Sequence, residues 1–194
     1  MSTNNEIEFK QLLSQTEYQQ IYDTYFKGII PFSQTNYYID TPDFQLKAHK
    51  SALRIRVKAD YNEMTLKVPA EVGLMEYNFE TSIVPQLDKV ITPDTIPSDI
   101  IEQLKQMDIT LDELTILGAL TTNRVESKVS DNLLVLDHSS YLDQEDYELE
   151  YEVSDYDQGL QNFKSLLEQF NIQHQTPDNK VQRFFSRKAK LNEK

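Results

Sequence analysis

The sequence predicts an α+β fold built on an antiparallel sheet. Three observations support this. Stretches with apolar residues at every second position alternate with stretches of helical period. The period-2 stretches are the more numerous, about eight against four or five helices. Consecutive strands are joined mostly by short turns, which connect antiparallel neighbours, whereas parallel strands need long crossovers.

The first strand is Glu6-Ile7-Glu8-Phe9-Lys10. Ser14-Gln15-Thr16-Glu17 then reads as a capping box opening a helix with Tyr18, Ile21, Tyr22 and Tyr25 on one face. A second strand is expected over residues 35–40, closed by Thr41-Pro42-Asp43. Residues 52–58 and 64–68 form a hairpin around Asp60-Tyr61-Asn62, and a further strand covers 72–83. Residues 84–95 are punctuated by proline and read as loop. Ser98 is placed to cap a helix carrying Ile101, Leu104 and Met107, followed by a helical turn near 111–117. Strands are expected over 120–129, 133–138 and 146–153. A helix with Leu160, Phe163, Leu166, Leu167 and Phe170 and a basic helix over about 178–191 complete the chain.

Composition narrows the function. The 194 residues carry a net charge of −13 with 39% hydrophobic and 26% charged residues, an acidic globular composition. A single domain over 1–194 is expected, burying roughly 70% of its unfolded surface. The acidic balance argues against nucleic acid and anionic membranes as partners. The absence of cysteine removes disulfides, zinc–thiolate sites and thiol nucleophiles. The four glycines are too dispersed for a phosphate-binding loop. No apolar run has the length of a membrane span and the N-terminus lacks a signal-peptide pattern, so the expected compartment is the cytoplasm. The oligomeric state, monomer or homodimer, is left open.

The strands alternate strongly in chemistry. Side chains at i, i+2 and i+4 share a face. This groups Glu6, Glu8 and Lys10; Arg54, Arg56 and Lys58; Thr65 and Lys67; Glu76, Asn78 and Glu80; Arg124, Glu126 and Lys128; and Glu148, Glu150 and Glu152. Each group backs onto apolar neighbours, least cleanly around Arg124. One reading is a solvated sheet face with ordinary cross-strand ion pairs. The other is a site for a metal–polyphosphate complex. Arginine forks suit phosphate oxygens, and the doublets Glu6/Glu8 and Glu148/Glu150 offer the oxygen ligands used by Mg²⁺ or Mn²⁺. A sheet curled into an eight-stranded barrel would enclose such a face. His49, His138 and His174 show no metal-ligand spacing. Ser139 and Ser140 lack the glycine-flanked elbow of a nucleophile. Arg187-Lys188-Ala189-Lys190 reads as a solvated helix end, and of the tyrosines only Tyr38 and Tyr141 are considered near a ligand.

These residues resemble the CYTH family, the triphosphate tunnel metalloenzymes that include class IV adenylyl cyclase and thiamine triphosphatase. Glu6-Ile7-Glu8-Phe9-Lys10 resembles the family's ExExK signature. The ordered set continues with Tyr38-Ile39-Asp40-Thr41, Ala52-Leu53-Arg54-Ile55-Arg56, Thr65-Leu66-Lys67, Glu80, Arg124, Asp137, Glu148-Leu149-Glu150 and Asn179-Lys180-Val181-Gln182-Arg183. Two departures are Thr122, where the family often has a second basic residue, and Lys50-Ser51, where a glycine is common. The resemblance implies an antiparallel eight-stranded β-barrel, a tunnel with helices packed outside, that binds triphosphate with Mg²⁺ or Mn²⁺. It implies phosphate contacts from Lys10, Arg54, Arg56, Lys67, Arg124 and Lys180. Arg183 is placed either in the tunnel or on the outer face of its helix. Glu6, Glu8, Glu148 and Glu150 would hold metal, with Glu80 and Asp137 close by, and the catalytic set would be Glu6, Glu8, Lys10, Glu148 and Glu150. The expected activity is metal-dependent hydrolysis of inorganic triphosphate or a small organic triphosphate. The alternatives are an adenylate cyclase forming cyclic AMP and pyrophosphate from ATP, and a non-catalytic polyphosphate- or nucleotide-binding module.

Overall fold

The computed structural model describes residues 1–193; Lys194, the last residue of the expected domain, lies outside them. Eight strands are present: β1 (Ser2–Leu13), β2 (Phe32–Asp40), β3 (Ala52–Val57), β4 (Asn62–Pro69), β5 (Leu74–Thr81), β6 (Thr115–Val129), β7 (Asn132–Tyr141) and β8 (Gln144–Val153). The helices are α1 (Gln15–Ile21), α2 (Gln45–Ala48), α3 (Ser98–Gln106), α4 (Tyr156–Glu168) and α5 (Lys180–Asn192). The strands form a closed barrel in the order β1-β5-β4-β3-β2-β6-β7-β8, antiparallel in every pair whose register is given below. Among the described residues no helix is long and apolar enough to cross a membrane.

The chain divides into two compact units, residues 1–5 with 34–120, and residues 6–33 with those from Thr121 onward. In the first, β2 to β5 form a meander with Tyr38 opposite Arg54, Arg54 opposite Thr65, and Thr65 opposite Asn78. The apolar face of this meander, Ile39, Leu53, Ile55, Met64 and Leu66, joins Ile100 and Leu104 of α3 and Ile91, Ile96, Ile109 and Leu114 in one core. In the second unit, β6, β7 and β8 form a meander and β1 adds to β8, with Arg124 opposite Asp137, Asp137 opposite Glu148, and Lys10 opposite Glu150. Its apolar face, Phe9, Val125, Leu134, Leu136, Leu149 and Tyr151, packs against Ile21, Phe26 and the Phe163, Leu166 and Leu167 stripe of α4. Gly159 permits that contact: a Cβ there would lie 2.6 Å from Val153 Cγ2.

The capping box forms as expected: Ser14 Oγ accepts from Glu17 N at 3.1 Å and Glu17 Oε1 from Ser14 N at 2.8 Å. Asn179 and Gln182 build a second box at the start of α5. Three local expectations are corrected. The N-cap of α3 is Pro97, with no side-chain cap hydrogen bond, and Ser98 is already the first helical residue. The helical turn near 111–117 is confined to a 3₁₀ turn at Leu111–Glu113, and β6 begins at Thr115. That run is ambiguous by periodicity; it becomes strand because Thr115 bridges Val90 and Ile91 N donates to Leu114 O at 2.7 Å. The short helix α2 was not anticipated. Asp40 nucleates it, its buried carboxylate accepting from the backbone N–H groups of Thr41, Leu46 and Lys47 at 2.7, 2.9 and 3.1 Å.

Candidate functional site

In the second unit the parity of β8 sends Leu149 and Tyr151 into the core and Glu148 and Glu150 to the opposite face, where β7 adds Asp137. All three acids are buried, and each offers a carboxylate oxygen within 4.8 Å of those of the other two. Helix α5 starts beside them. The Lys180 ammonium, itself buried, donates to Asp137 Oδ2 at 2.8 Å and bonds Glu148 Oε1 and Glu150 Oε1. Arg124 forks onto Asp137, Nε to Oδ1 at 2.8 Å and a terminal nitrogen to Oδ2 at 2.7 Å, and reaches Glu150 Oε2 at 3.3 Å. One turn along α5, Arg183 donates to Glu148 Oε2 at 2.7 Å and to both oxygens of Asp146 at 3.1 and 3.3 Å. Lys10 pairs with Glu8 at 2.8 Å.

Burial opposes charge on Lys10, Arg124, Asp137, Glu148, Glu150, Lys180 and Arg183, and mutual attraction outweighs it at all of them except Glu148. Burial works against the Lys180 ammonium, but Asp137, Glu148 and Glu150 hold its pKa well above the usual lysine value. Lys10 is raised in the same way, chiefly by Glu8, then by Glu150 and Glu148. Burial would raise Asp137 and Glu150, yet Arg124 and Lys180 bring both below the ordinary carboxylate range, Glu150 furthest. Glu148 alone goes up, from burial together with the neighbouring Glu150 charge, against the pull of Lys180. Tyr141, which donates to Asp146 Oδ2 at 2.9 Å, is pushed up to about 12 by burial and by that acceptor. Four strongly held cations, Lys10 and Arg124 from strands and Lys180 and Arg183 from α5, thus surround an all-oxygen acid group. The donor set suits a hard divalent cation, which takes carboxylate oxygens.

The first unit carries its own polar face. Lys67 pairs with Glu76 at 2.9 Å, Thr65 donates to Asn78 Oδ1 at 2.7 Å, and Arg56 Nε donates to Asn36 Oδ1 at 2.8 Å. Glu76 is buried enough to be driven up, but the Lys67 and Arg54 charges bring it below its usual value. Two donors on this unit, Arg54 Nε and Gln34 Nε2, are buried with no hydrogen-bond partner among the described residues.

The structure therefore brings together Lys10, Glu8, Arg124, Asp137, Glu148, Glu150, Lys180 and Arg183 on the second unit, and places Arg54, Arg56, Lys67 and the exposed Glu80 on the first. Of the six acids expected at a metal, Asp137, Glu148 and Glu150 form the clustered group, while Glu6, Glu8 and Glu80 are not part of it. The open position of Arg183 resolves toward the acidic strand. Thr122 is buried and hydrogen-bonds the Ser139 hydroxyl at 2.9 Å, so a neutral pair stands two residues before Arg124. Asp146 was missed, although its spacing from Glu148 and Glu150 already put it in their row. His138 stacks on Tyr147 with ring centroids 4.5 Å apart and pairs with Glu145 at 2.9 Å, apart from the clustered acids.

The chain is similar to known proteins over nearly its whole length. A protein from Bacillus subtilis named "Putative triphosphatase YjbK" is 41% identical over 191 residues, spanning 98% of this chain and 99% of its own length. The crystal structure of a protein from Bacillus halodurans described as "a putative adenylate cyclase" superposes with a TM-score of 0.84 at 34% identity, covering 95% of this chain and all of the other. HpAC1 from Hippeastrum shares the fold at a TM-score of 0.73 and 23% identity, over 93% of this chain and 95% of its own. The CYTH domain model matches residues 4–185, and with that match and the 41% identical relative the chain belongs to the CYTH family.

Proposed function

We propose that the chain is a divalent-metal-dependent triphosphatase acting on inorganic triphosphate or a small organic triphosphate. The observation that carries this reading is the group of Asp137, Glu148 and Glu150 interleaved with Lys180, Arg124 and Arg183. The name of the 41% identical relative supports the reaction class. The family match over residues 4–185 supports treating the whole chain as one functional domain.

In this reading Asp137, Glu148 and Glu150 hold Mg²⁺ or Mn²⁺, with Glu6, Glu8 and Glu80 as further acids of the proposed set. The bound metal would polarise phosphate oxygens and lower the pKa of a water nucleophile. The protein's own groups position the substrate. Lys10, Arg124, Lys180 and Arg183 are proposed to contact phosphate on the second unit, and Arg54, Arg56 and Lys67 on the first. Their carboxylate neighbours outweigh burial and hold Lys180 and Lys10 cationic in the protein alone, and these charges are proposed to face the phosphoryl oxygens. Arginine's planar fork, as Arg124 already uses it on Asp137, can hold two oxygens of one phosphate.

The test is a phosphate-release screen over triphosphate, thiamine triphosphate, ATP and longer polyphosphate with Mg²⁺ and Mn²⁺. Orthophosphate from a triphosphate, abolished by EDTA, is the expected result. Cyclic AMP and pyrophosphate from ATP would instead establish the cyclase reading, which the description of the 34% identical structure favours. A ligand-induced thermal shift without phosphate release would establish a binding module.

A further inference from the structure

Every carboxylate oxygen of the acid group is already in use. Asp137 Oδ1 and Oδ2 accept from Arg124, Oδ2 also from Lys180. Glu148 Oε1 accepts from Lys180 and Oε2 from Arg183. Glu150 Oε1 accepts from Lys180 and Oε2 from Arg124. Lys180 is the hub, touching all three acids from the first turn of α5. The helix is held in place by a stripe spaced i, i+3, i+7: Lys180 and Arg183 on the acids, and Arg187 on Asp143 with Nε at 2.7 Å from Oδ1. Phe184 and Phe185 are buried beside this stripe, Phe184 against Tyr141 with ring centroids 6.3 Å apart.

A bare divalent cation therefore meets three acids matched by one ammonium and two guanidinium groups. To gain two or three carboxylate oxygens it must expel Lys180 Nζ, leaving a buried ammonium without a partner, a costly outcome. Triphosphate alone meets the converse difficulty: it can draw the cations away only by leaving three buried carboxylates unpaired. The two together solve both problems, since the phosphates accept from Lys180, Arg124 and Arg183 while the carboxylates turn to the metal. We infer that Lys180 acts as an internal counter-ion holding the metal's place, so that the site takes a divalent cation only together with polyphosphate. This inference rests on the metal-dependent triphosphatase reading and adds the form in which the substrate is bound. By linkage the coupling is reciprocal: polyphosphate raises metal affinity by the factor by which metal raises polyphosphate affinity.

The experiment measures Mn²⁺ retained by the full-length protein on ultrafiltration, with and without a non-hydrolysable imido analogue of triphosphate, against protein-free controls. In the wild type the analogue should raise Mn²⁺ affinity about tenfold or more, within the usual span of coupling between sites. Lys180→Met should bind Mn²⁺ alone about tenfold more tightly than wild type and respond far less to the analogue. Lys180→Gln is the second variant, because its amide can still donate to the carboxylates and keep α5 seated without the charge; it should shift in the same direction. Equal Mn²⁺ affinity in wild type with and without the analogue, or no gain in either Lys180 variant, overturns the inference while leaving the metal site standing. No retained Mn²⁺ in any form, with phosphate release indifferent to EDTA, overturns the metal-dependent reading itself.

Discussion

In the second unit six carboxylate oxygens on β7 and β8 all accept from Arg124, Lys180 or Arg183, whereas in the first unit Arg54 Nε and Gln34 Nε2 are buried and donate to nothing among the described residues. Both faces arise from the same strand parity and carry both signs of charge. They differ in what covers them. The second unit brings in a helix, α5, whose first turn delivers one cation to three acids, and the network closes on itself. On the first unit Lys67 pairs with Glu76, Arg54 adds its charge to the same carboxylate, Arg56 Nε donates to Asn36, and two buried donors are left over. A buried donor without an acceptor costs about 1–3 kcal/mol, a cost commonly tolerated where an outside acceptor is to be bound. The difference separates a face organised around carboxylates from one with spare donors, such as an anion would use.

The comparison breaks most readily at Lys180. Lys180→Met should destabilise the protein by about 3–5 kcal/mol in urea unfolding, because three buried carboxylates lose their shared partner. Lys67→Met, which removes one of the two cations acting on Glu76, should cost less, about 1–3 kcal/mol, because Arg54 still faces that carboxylate. Similar losses for the two would show that the network around Lys180 is no more than a sum of pairs.

Activity offers the next contrast. Glu150→Gln should lower phosphate release at limiting Mg²⁺ or Mn²⁺ by about 100-fold, partly restored by excess metal, since glutamine keeps one oxygen but not the charge. Arg54→Gln should raise KM for triphosphate about tenfold, the worth of a hydrogen bond to a charged group, and cost folding stability only through its lost attraction to Glu76, because Arg54 Nε itself forfeits no bond inside the protein. An unaltered KM in Arg54→Gln would remove the first unit's spare donors from the substrate site.

Acid should separate the two faces less sharply. Asp137 and Glu150 lie below their ordinary pKa, so the stability they confer is complete above about pH 4 and fades as pH falls through their folded values. Lys10 and Lys180 lie above theirs, so their share is complete below about pH 10 and fades only beyond it. Glu148, raised by burial, contributes with the opposite sign and softens the acid limb. A plateau between those limits, with an acid limb that flattens in Lys180→Met, is expected from urea midpoints across pH. The smallest effect belongs to Glu152→Gln: this residue shares the row of Glu150 but is exposed, and its activity and stability should stay within about 0.5 kcal/mol of wild type.

Much of this was legible in the residues. Alternation along Glu6–Lys10, 52–58, 64–68 and 146–153 assigned the strands and told which side chains share a face, because a strand's geometry leaves no choice between adjacent residues. The capping boxes at Ser14 and Asn179 needed only short-range hydrogen bonds, and the first was readable for that reason. Ser98 misled because a preceding proline already supplied the extended residue before the helix. The start of β6 misled because its partner, Val90, is remote in sequence. Periodicity set Glu148 beside Glu150, but Asp137's place next to them was beyond it. Asp137, Glu148 and Glu150 meet because β7 and β8 pair in one register, and Lys180, thirty residues past Glu150, reaches them because α5, with Phe184 and Phe185 buried, begins beside that row. Local sequence thus determined the strands, their faces and the kinds of charge on offer. Tertiary structure decided which charges are neutralised from within and which buried donors are left without a partner among the described residues, since ion pairing depends on distance in space and on burial, and neither is a property of a strand taken alone.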